Sequence, residues 1–157
     1  MTDLSVYQIR REELKRRYLS LDTPVTQPVV TGGVDHLALI CSDIETTIRF
    51  YTEVLGMRLT KVMTNRDEPT STHIFLDMGG GNLLAFFDFP EKGPDRTVRG
   101  VGSMHHVALK AAPKKFQSIL ATLKDKNIKY SLHGTETAGS VYVRDPDDIL
   151  VEVTTGY

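Results

Sequence analysis

Only one cysteine, Cys41, occurs among the 157 residues, so no disulfide can form within the chain. A single thiol followed by polar residues suits a reducing compartment. Long hydrophobic runs are also missing: nothing approaches the about 18 consecutive apolar residues of a membrane-spanning helix. The first residues are polar and charged and carry no apolar core of a secretory leader. Charge of one sign is lacking as well. Nineteen Lys+Arg stand against 20 Asp+Glu, and the formal net charge of −1 gives no footprint for nucleic acid. These absences point to a cytoplasmic protein with neither a membrane nor a nucleic-acid partner. The remaining composition, 40% hydrophobic and 25% charged, is that of a globular chain able to bury a real core as one domain or two small fused modules.

Residues 1–32 read as an N-terminal helical arm and linker. Helix formers dominate residues 6–19, with Val6, Ile9, Leu14, Tyr18 and Leu19 at imperfect helical spacing. Pro24 and Pro28 then argue for an extended connection. The arm is either a basic, solvated helix or an element that packs on a partner subunit.

From Gly33 onward the chain reads as the same unit twice, with modules at 33–92 and 103–157. The first begins with a strand over 34–40. Its helix has Ser42 or Asp43 as N-cap, and Ile44, Ile48, Tyr51 and Leu55 share one face. Gly56 closes that helix, and strands follow near 58–63, 73–76 and 83–87, the last two joined by a Gly79-Gly80-Gly81-Asn82 turn. The second module repeats the order: a strand over 106–110, a helix from about Pro113 with Phe116, Ile119, Leu120 and Leu123 apolar, and strands near 129–132, 140–143 and 150–154. Residue pairs sustain the match. His36 aligns with His106, Ile48 with Ile119, Phe75 with Tyr142 and Ala85 with Glu152. The fold class expected is α+β, with two tandem βαβββ modules.

Three residues stand out within this repeat. His36 and His106 each open a short apolar run, and Glu152 lies inside Ile149-Leu150-Val151-Glu152-Val153, which otherwise wants burial. An ionised carboxylate is too costly to bury alone, so it is paired or bound to a metal. Two imidazoles and a carboxylate on separate strands match the facial triad of non-haem Fe(II) oxygenases. His105 is the second candidate on the same run; strand alternation sends it to the face opposite His106.

Three segments together resemble the vicinal oxygen chelate superfamily, which includes glyoxalase I, extradiol dioxygenases, fosfomycin-resistance proteins and methylmalonyl-CoA epimerase. They are Val34-Asp35-His36-Leu37-Ala38-Leu39, Met104-His105-His106-Val107-Ala108-Leu109 and the stretch from Tyr142 to Glu152. The resemblance covers about residues 33–155. It implies that the two modules form a cupped mixed sheet around a metal held by His36, His106 and Glu152, with Fe(II) or Mn(II) as the ion. It also implies a homodimer in some members, in which modules are exchanged between subunits.

Within the superfamily, glyoxalase I and the epimerases resemble each other in taking a further Glu or Gln ligand from the last strand of the first module. Here that place holds Ala85. Fosfomycin thiol transferases need cations for a phosphonate, and the five residues after Glu152 contain none. Extradiol enzymes resemble this chain more closely, with a tyrosine ten residues before the carboxylate (Tyr142) and a histidine nine before that tyrosine (His133). The activity implied is ring cleavage of a catechol-like aromatic with O2, with Tyr142 steadying the substrate and His133 moving protons. Two departures stand. The histidine base expected on the last strand of the first module is replaced by Leu83-Leu84-Ala85-Phe86-Phe87, leaving His73 as a substitute or a strand-edge residue, and many extradiol enzymes have twice as many modules.

A glyoxalase-like lyase or isomerase using the metal as a Lewis acid is the alternative enzyme, and a metal-free small-molecule binding protein the alternative class. Phe86, Phe87 and Phe89 are read as core and cup wall, Cys41 as structural, and Asp145, Asp147 and Asp148 as turn formers.

Overall fold

The apolar alternation folds into two four-stranded mixed sheets, one per module, in a computed structural model that describes residues 5–18, 31–93 and 95–156. The chain divides into two units, Met1–Gly33 and Val34–Tyr157. In the first, α1 spans Ser5–Tyr18. Ile9, Leu14 and Tyr18 are exposed on it, and surface pairs such as Lys15–Glu12 and Arg10–Glu13 lie one turn apart. The proline-bearing connection expected after this helix lies outside the described residues.

In the second unit β1 (His36–Cys41) leads into α2 (Ile44–Arg49), a π-helical turn (Phe50–Val54), β2 (Arg58–Thr64), β3 (Thr72–Gly79) and β4 (Asn82–Asp88). The second module supplies β5 (Val107–Lys110), α3 (Pro113–Asp125), β6 (Tyr130–Gly134), β7 (Gly139–Arg144) and β8 (Leu150–Thr154). Strand order is β1-β4-β3-β2 in one sheet and β5-β8-β7-β6 in the other. The first strand of each runs parallel to the last, and the remaining pairs are antiparallel.

Local chemistry explains the boundaries. Asp43 is the N-cap of α2, accepting a hydrogen bond from Thr46 N at 2.7 Å. The single helix expected up to Gly56 changes winding at Phe50, which donates its N–H to the carbonyls of both Thr46 and Thr47. Gly56 follows with φ +70°, a conformation glycine adopts without a Cβ penalty. Two expected strand starts shift. The first strand begins at His36 rather than at residue 34, and His106 sits just ahead of β5.

One face of each sheet is core. Leu84, Phe86, Ile74 and Leu76 of the first sheet pack with Tyr51 and Phe50, while Val141, Val143, Val151 and Val153 of the second pack with Phe116, Ile119, Leu120 and Leu123 of α3. Hydrogen bonds join the modules, among them Lys126 Nζ to Glu53 Oε2 at 3.3 Å on the surface. Tyr51 Oη donates to Asp145 Oδ2 at 3.1 Å and Ser42 N to Asp147 Oδ2 at 2.9 Å. Asp145 also accepts from the backbone N–H of Asp147 and of Ile149, so this turn residue is a buried tie between modules as well. Burial is the main force pushing its carboxyl above the ordinary value, while those donors pull it down.

Candidate functional site

The face of each sheet turned away from its core carries the chemistry. Side chains alternate along strands, so cross-strand register fixes which residues share that face. In the second sheet Ala108 pairs with Glu152 and Glu152 with Tyr142, while Ser131 pairs with Tyr142 and His133 with Ser140. The first sheet shows the same rows: Ala38 opposite Ala85, Ala85 opposite Phe75, and Phe75 opposite Lys61. The repeat alignment therefore holds strand by strand. Ala85 occupies the place of Glu152, Phe75 that of Tyr142.

On the second face His106 Nε2 lies 2.9 Å from Glu152 Oε2. The glutamate is 1% exposed and the histidine about a third exposed. Tyr142 sets its ring edge-on to His106 at 6.1 Å between centroids, and His133 meets Tyr142 edge-on at 5.4 Å. Glycine at 139 lets the β6 and β7 backbones close up beside His133, since a Cβ there would stand 2.2 Å from the His133 carbonyl oxygen. Four of the six site residues expected from the sequence are thus in one constellation.

The other two lie on the first face. The His36 ring is edge-on to Phe75 at 5.6 Å, and His73 stacks on Phe87 at 3.7 Å with an interplanar angle of 17°. His73 also contacts Phe75 at 4.2 Å, and Phe89 extends the stack beyond Phe87. Lys61 Nζ sits 5.3 Å over the Phe75 ring. Burial, and next the neighbouring His36 imidazole, hold His73 below the usual histidine value. Its buried Nε2 has no hydrogen-bond partner among the described residues. Phe86 is core, whereas Phe87 and Phe89 lie outside the core cluster.

His36 does not join His106 and Glu152 in one chain: among the described residues no group of three His, Cys, Asp or Glu side chains is placed to hold a metal. The donors themselves suit a divalent ion. An imidazole nitrogen and a buried carboxylate oxygen face each other at hydrogen-bond distance, and these are donor types found in a facial triad.

Two contacts of the histidines escaped the sequence reasoning, one with Asp35 and one with His105. Asp35 Oδ1 is 2.7 Å from His36 Nδ1, and His105 Nδ1 is 2.7 Å from His106 Nδ1. His105, expected on the opposite face, is instead the partner of His106. Strand alternation separates adjacent side chains only within a strand, and both pairs lie at the entry of one. The available signal was position: each partner directly precedes its histidine.

The family model described as Glyoxalase/Bleomycin resistance protein/Dioxygenase superfamily matches residues 33–153. The chain belongs to this superfamily. Members are mostly enzymes and typically hold a divalent metal. The chain is 32% identical over 82 residues to a Bacillus subtilis protein named, provisionally, the ring-cleaving dioxygenase MhqA; the match covers 50% of this chain but only 25% of that relative's length. It is 29% identical over 132 residues to a Salmonella typhimurium virulence protein, covering 80% of this chain and 85% of that protein. Among solved structures it is similar to the fosfomycin resistance protein FosX from Listeria monocytogenes, in a mutant complexed with Mn(II) and a dihydroxypropylphosphonic acid. The TM-score is 0.62 and the identity 17%, over 81% of this chain and 94% of that one, so the likeness is one of fold.

Proposed function

We propose that this protein is a metal-dependent ring-cleaving dioxygenase acting on a catechol-like aromatic, and that it works as a homodimer. Each site takes His106 and Glu152 from one copy and His36 from the other. The observation that carries the reading is the approach of His106 Nε2 to the buried Glu152 carboxylate on a face that also presents Tyr142 and His133. The likeness to a relative named as a ring-cleaving dioxygenase supports it.

A second copy would complete the ligand set, since no three candidate donors meet among the described residues of one chain. The strands suit the pairing. β1 and β5 are both sheet edges, and an edge such as His36-Leu37-Ala38-Leu39-Ile40-Cys41 is a template for another strand. Ile40 and Met63, exposed on the ligand-bearing face of the first sheet, would be covered by such an assembly.

Fe(II) bound there, or Mn(II) in its place, would supply the redox chemistry by which dioxygen reacts with a catechol ring. The residues of the chain do the rest. Tyr142 offers a hydroxyl to a substrate oxygen, and His133 at its side transfers a proton. Phe75, Phe87 and Phe89 give the first sheet an apolar wall for an aromatic ring. His73, embedded in that wall with its Nε2 unpaired among the described residues, takes the place of the histidine base missing from β4. Among the described residues no helix is long and apolar enough to cross a membrane, and the lone cysteine is buried and free. Both facts suit work in a reducing cytoplasm.

Anaerobic purification, Fe(II) loading and oxygen-electrode measurements with a catechol series test the reading. Stoichiometric metal and oxygen uptake coupled to loss of the catechol are expected. Absence of stoichiometric metal, with His106→Ala leaving ligand affinity unchanged, would identify a metal-free binding protein instead.

A further inference from the structure

A break in the register of the first sheet puts a cation on its ligand-bearing face. Leu59 pairs with Leu76 and Lys61 with Phe75, so Thr60 is an extra residue and β2 carries a β-bulge. Without that extra residue the ladder would set Lys61 opposite Ile74, a core position that is fully buried. The bulge instead re-aims Lys61 over the Phe75 ring, with Nζ 5.3 Å from the centroid. Thr60 fastens the bulge by donating its hydroxyl to the Phe75 carbonyl at 3.1 Å. The same Phe75 ring meets the His36 imidazole at 5.6 Å, so one aromatic side chain lies between the histidine and the ammonium. The repeat marks this cation as particular to the first module. In the second sheet the residue opposite Tyr142 is the neutral Ser131, and that ladder runs without a bulge. Neighbouring acid does not use up the charge either. Asp77, in the next row of the same face, is engaged by Arg58 at 3.0 Å, and Lys61 enters no ion pair among the described residues.

We propose that Lys61 is a specificity-determining residue that receives a carboxylate, so that the substrate is a catechol carrying an acid group on its ring or on a short side chain. The inference rests on the ring-cleaving reading and narrows it. An aromatic ring lying along Phe75 turns one end toward His36 and the other toward the ammonium. The hydroxyls then belong at the histidine end and the acid at the lysine end. A hydrogen bond between ammonium and carboxylate is charge-assisted and about twice as strong as a neutral one. Lysine acts as a compact point charge on a flexible stem, so it tolerates an acid group at more than one distance from the ring, where the planar fork of arginine would fix the geometry.

Anaerobic titration calorimetry on the full-length protein, with and without Fe(II), tests this by binding alone. The probes are protocatechuate, a catechol with a ring carboxylate, and methylcatechol, its uncharged counterpart. Protocatechuate should bind about 10- to 100-fold more tightly, the range of a hydrogen bond to a charged group. Lys61→Met should bring the ratio of the two affinities close to one, and Lys61→Arg should keep most of it. Added salt should shrink the preference in the unaltered protein. Circular dichroism and thermal melts establish that the variants fold, as expected for an exposed side chain on an edge strand. Oxygen uptake is the second readout, with the Lys61→Met defect appearing in KM for the acid. Equal affinity for the two probes overturns the inference, as does a preference that survives in Lys61→Met or a failure of the acid to bind either form. If oxygen is consumed with catechols but acid brings no advantage, ring cleavage stands and this inference falls. If the acid preference depends on Lys61 but no oxygen is consumed, the recognition stands and only the ring-cleaving reading fails.

Discussion

Replacing Glu152 by glutamine separates a metal ligand from a structural carboxylate, because the two roles give changes of opposite sign. Glutamine has nearly the same shape and removes only the charge. In the metal-free protein that charge is 1% exposed, with the His106 imidazole 2.9 Å away. Effective desolvation penalties run to several kcal/mol per ion and are only partly offset by a partner. Glu152→Gln should therefore leave the metal-free fold unchanged or stabilise it by about 1 kcal/mol, a rise of about 2–4 °C in Tm for a chain of this size. With metal present the order reverses. An ion held at 100 times its Kd stabilises the folded form by about 2.7 kcal/mol, and the glutamine variant should forfeit most of this. Differential scanning fluorimetry with and without Mn(II), under nitrogen for Fe(II), measures both. A metal-free variant destabilised by about 3 kcal/mol, the scale of breaking a buried pair, would mark Glu152 as structural and refute the reasoning. Equal stabilisation of both proteins by the ion would refute it as well.

Other expectations follow from the same contacts. Tyr51→Phe removes the phenol that donates to Asp145 at 3.1 Å and should cost about 1.5–3 kcal/mol near neutral pH by urea denaturation. The folded Asp145 carboxyl lies above its ordinary 3.8, so its protonated form favours the fold as pH falls; the phenol supports mainly the ionised form. The Tyr51→Phe penalty should thus shrink through the carboxylate range, and a penalty growing at low pH would contradict the assignment. His73→Phe keeps a ring on Phe87 and should hold stability within about 0.5 kcal/mol, while turnover drops about 10²- to 10⁴-fold if His73 is the base. Burial pushes the Cys41 thiol up to about 11, so thiol reagents should modify it only on unfolding.

The repeat was legible because side-chain period and register survive in sequence. Phe75 with Tyr142, and Ala85 with Glu152, occupy matching rungs of the two sheets. Tyr142 and His133 could be placed beside His106 for the same reason. Periodicity assigns a residue to a face within a module but carries no information on which modules meet. That is why the separation of His36 from His106 and Glu152 was not legible. The His73–Phe87 stack and the burial of Asp145 under Tyr51 are likewise long-range contacts between segments with unremarkable local patterns. The π-helical turn at Phe50–Val54 was hidden because its residues fit an ordinary helical face equally well.

The central claim, a metal site shared between two copies, is tested most directly by subunit complementation. His36→Ala and Glu152→Ala chains carrying different tags are co-expressed, and the mixed dimer is isolated and assayed for bound metal. A two-fold dimer with shared sites leaves each parent homodimer without a complete ligand set, while the mixed dimer regains one intact site from its two unaltered halves. Metal in the mixed dimer and none in either parent is the predicted result. A mixed dimer as empty as its parents would contradict the shared site.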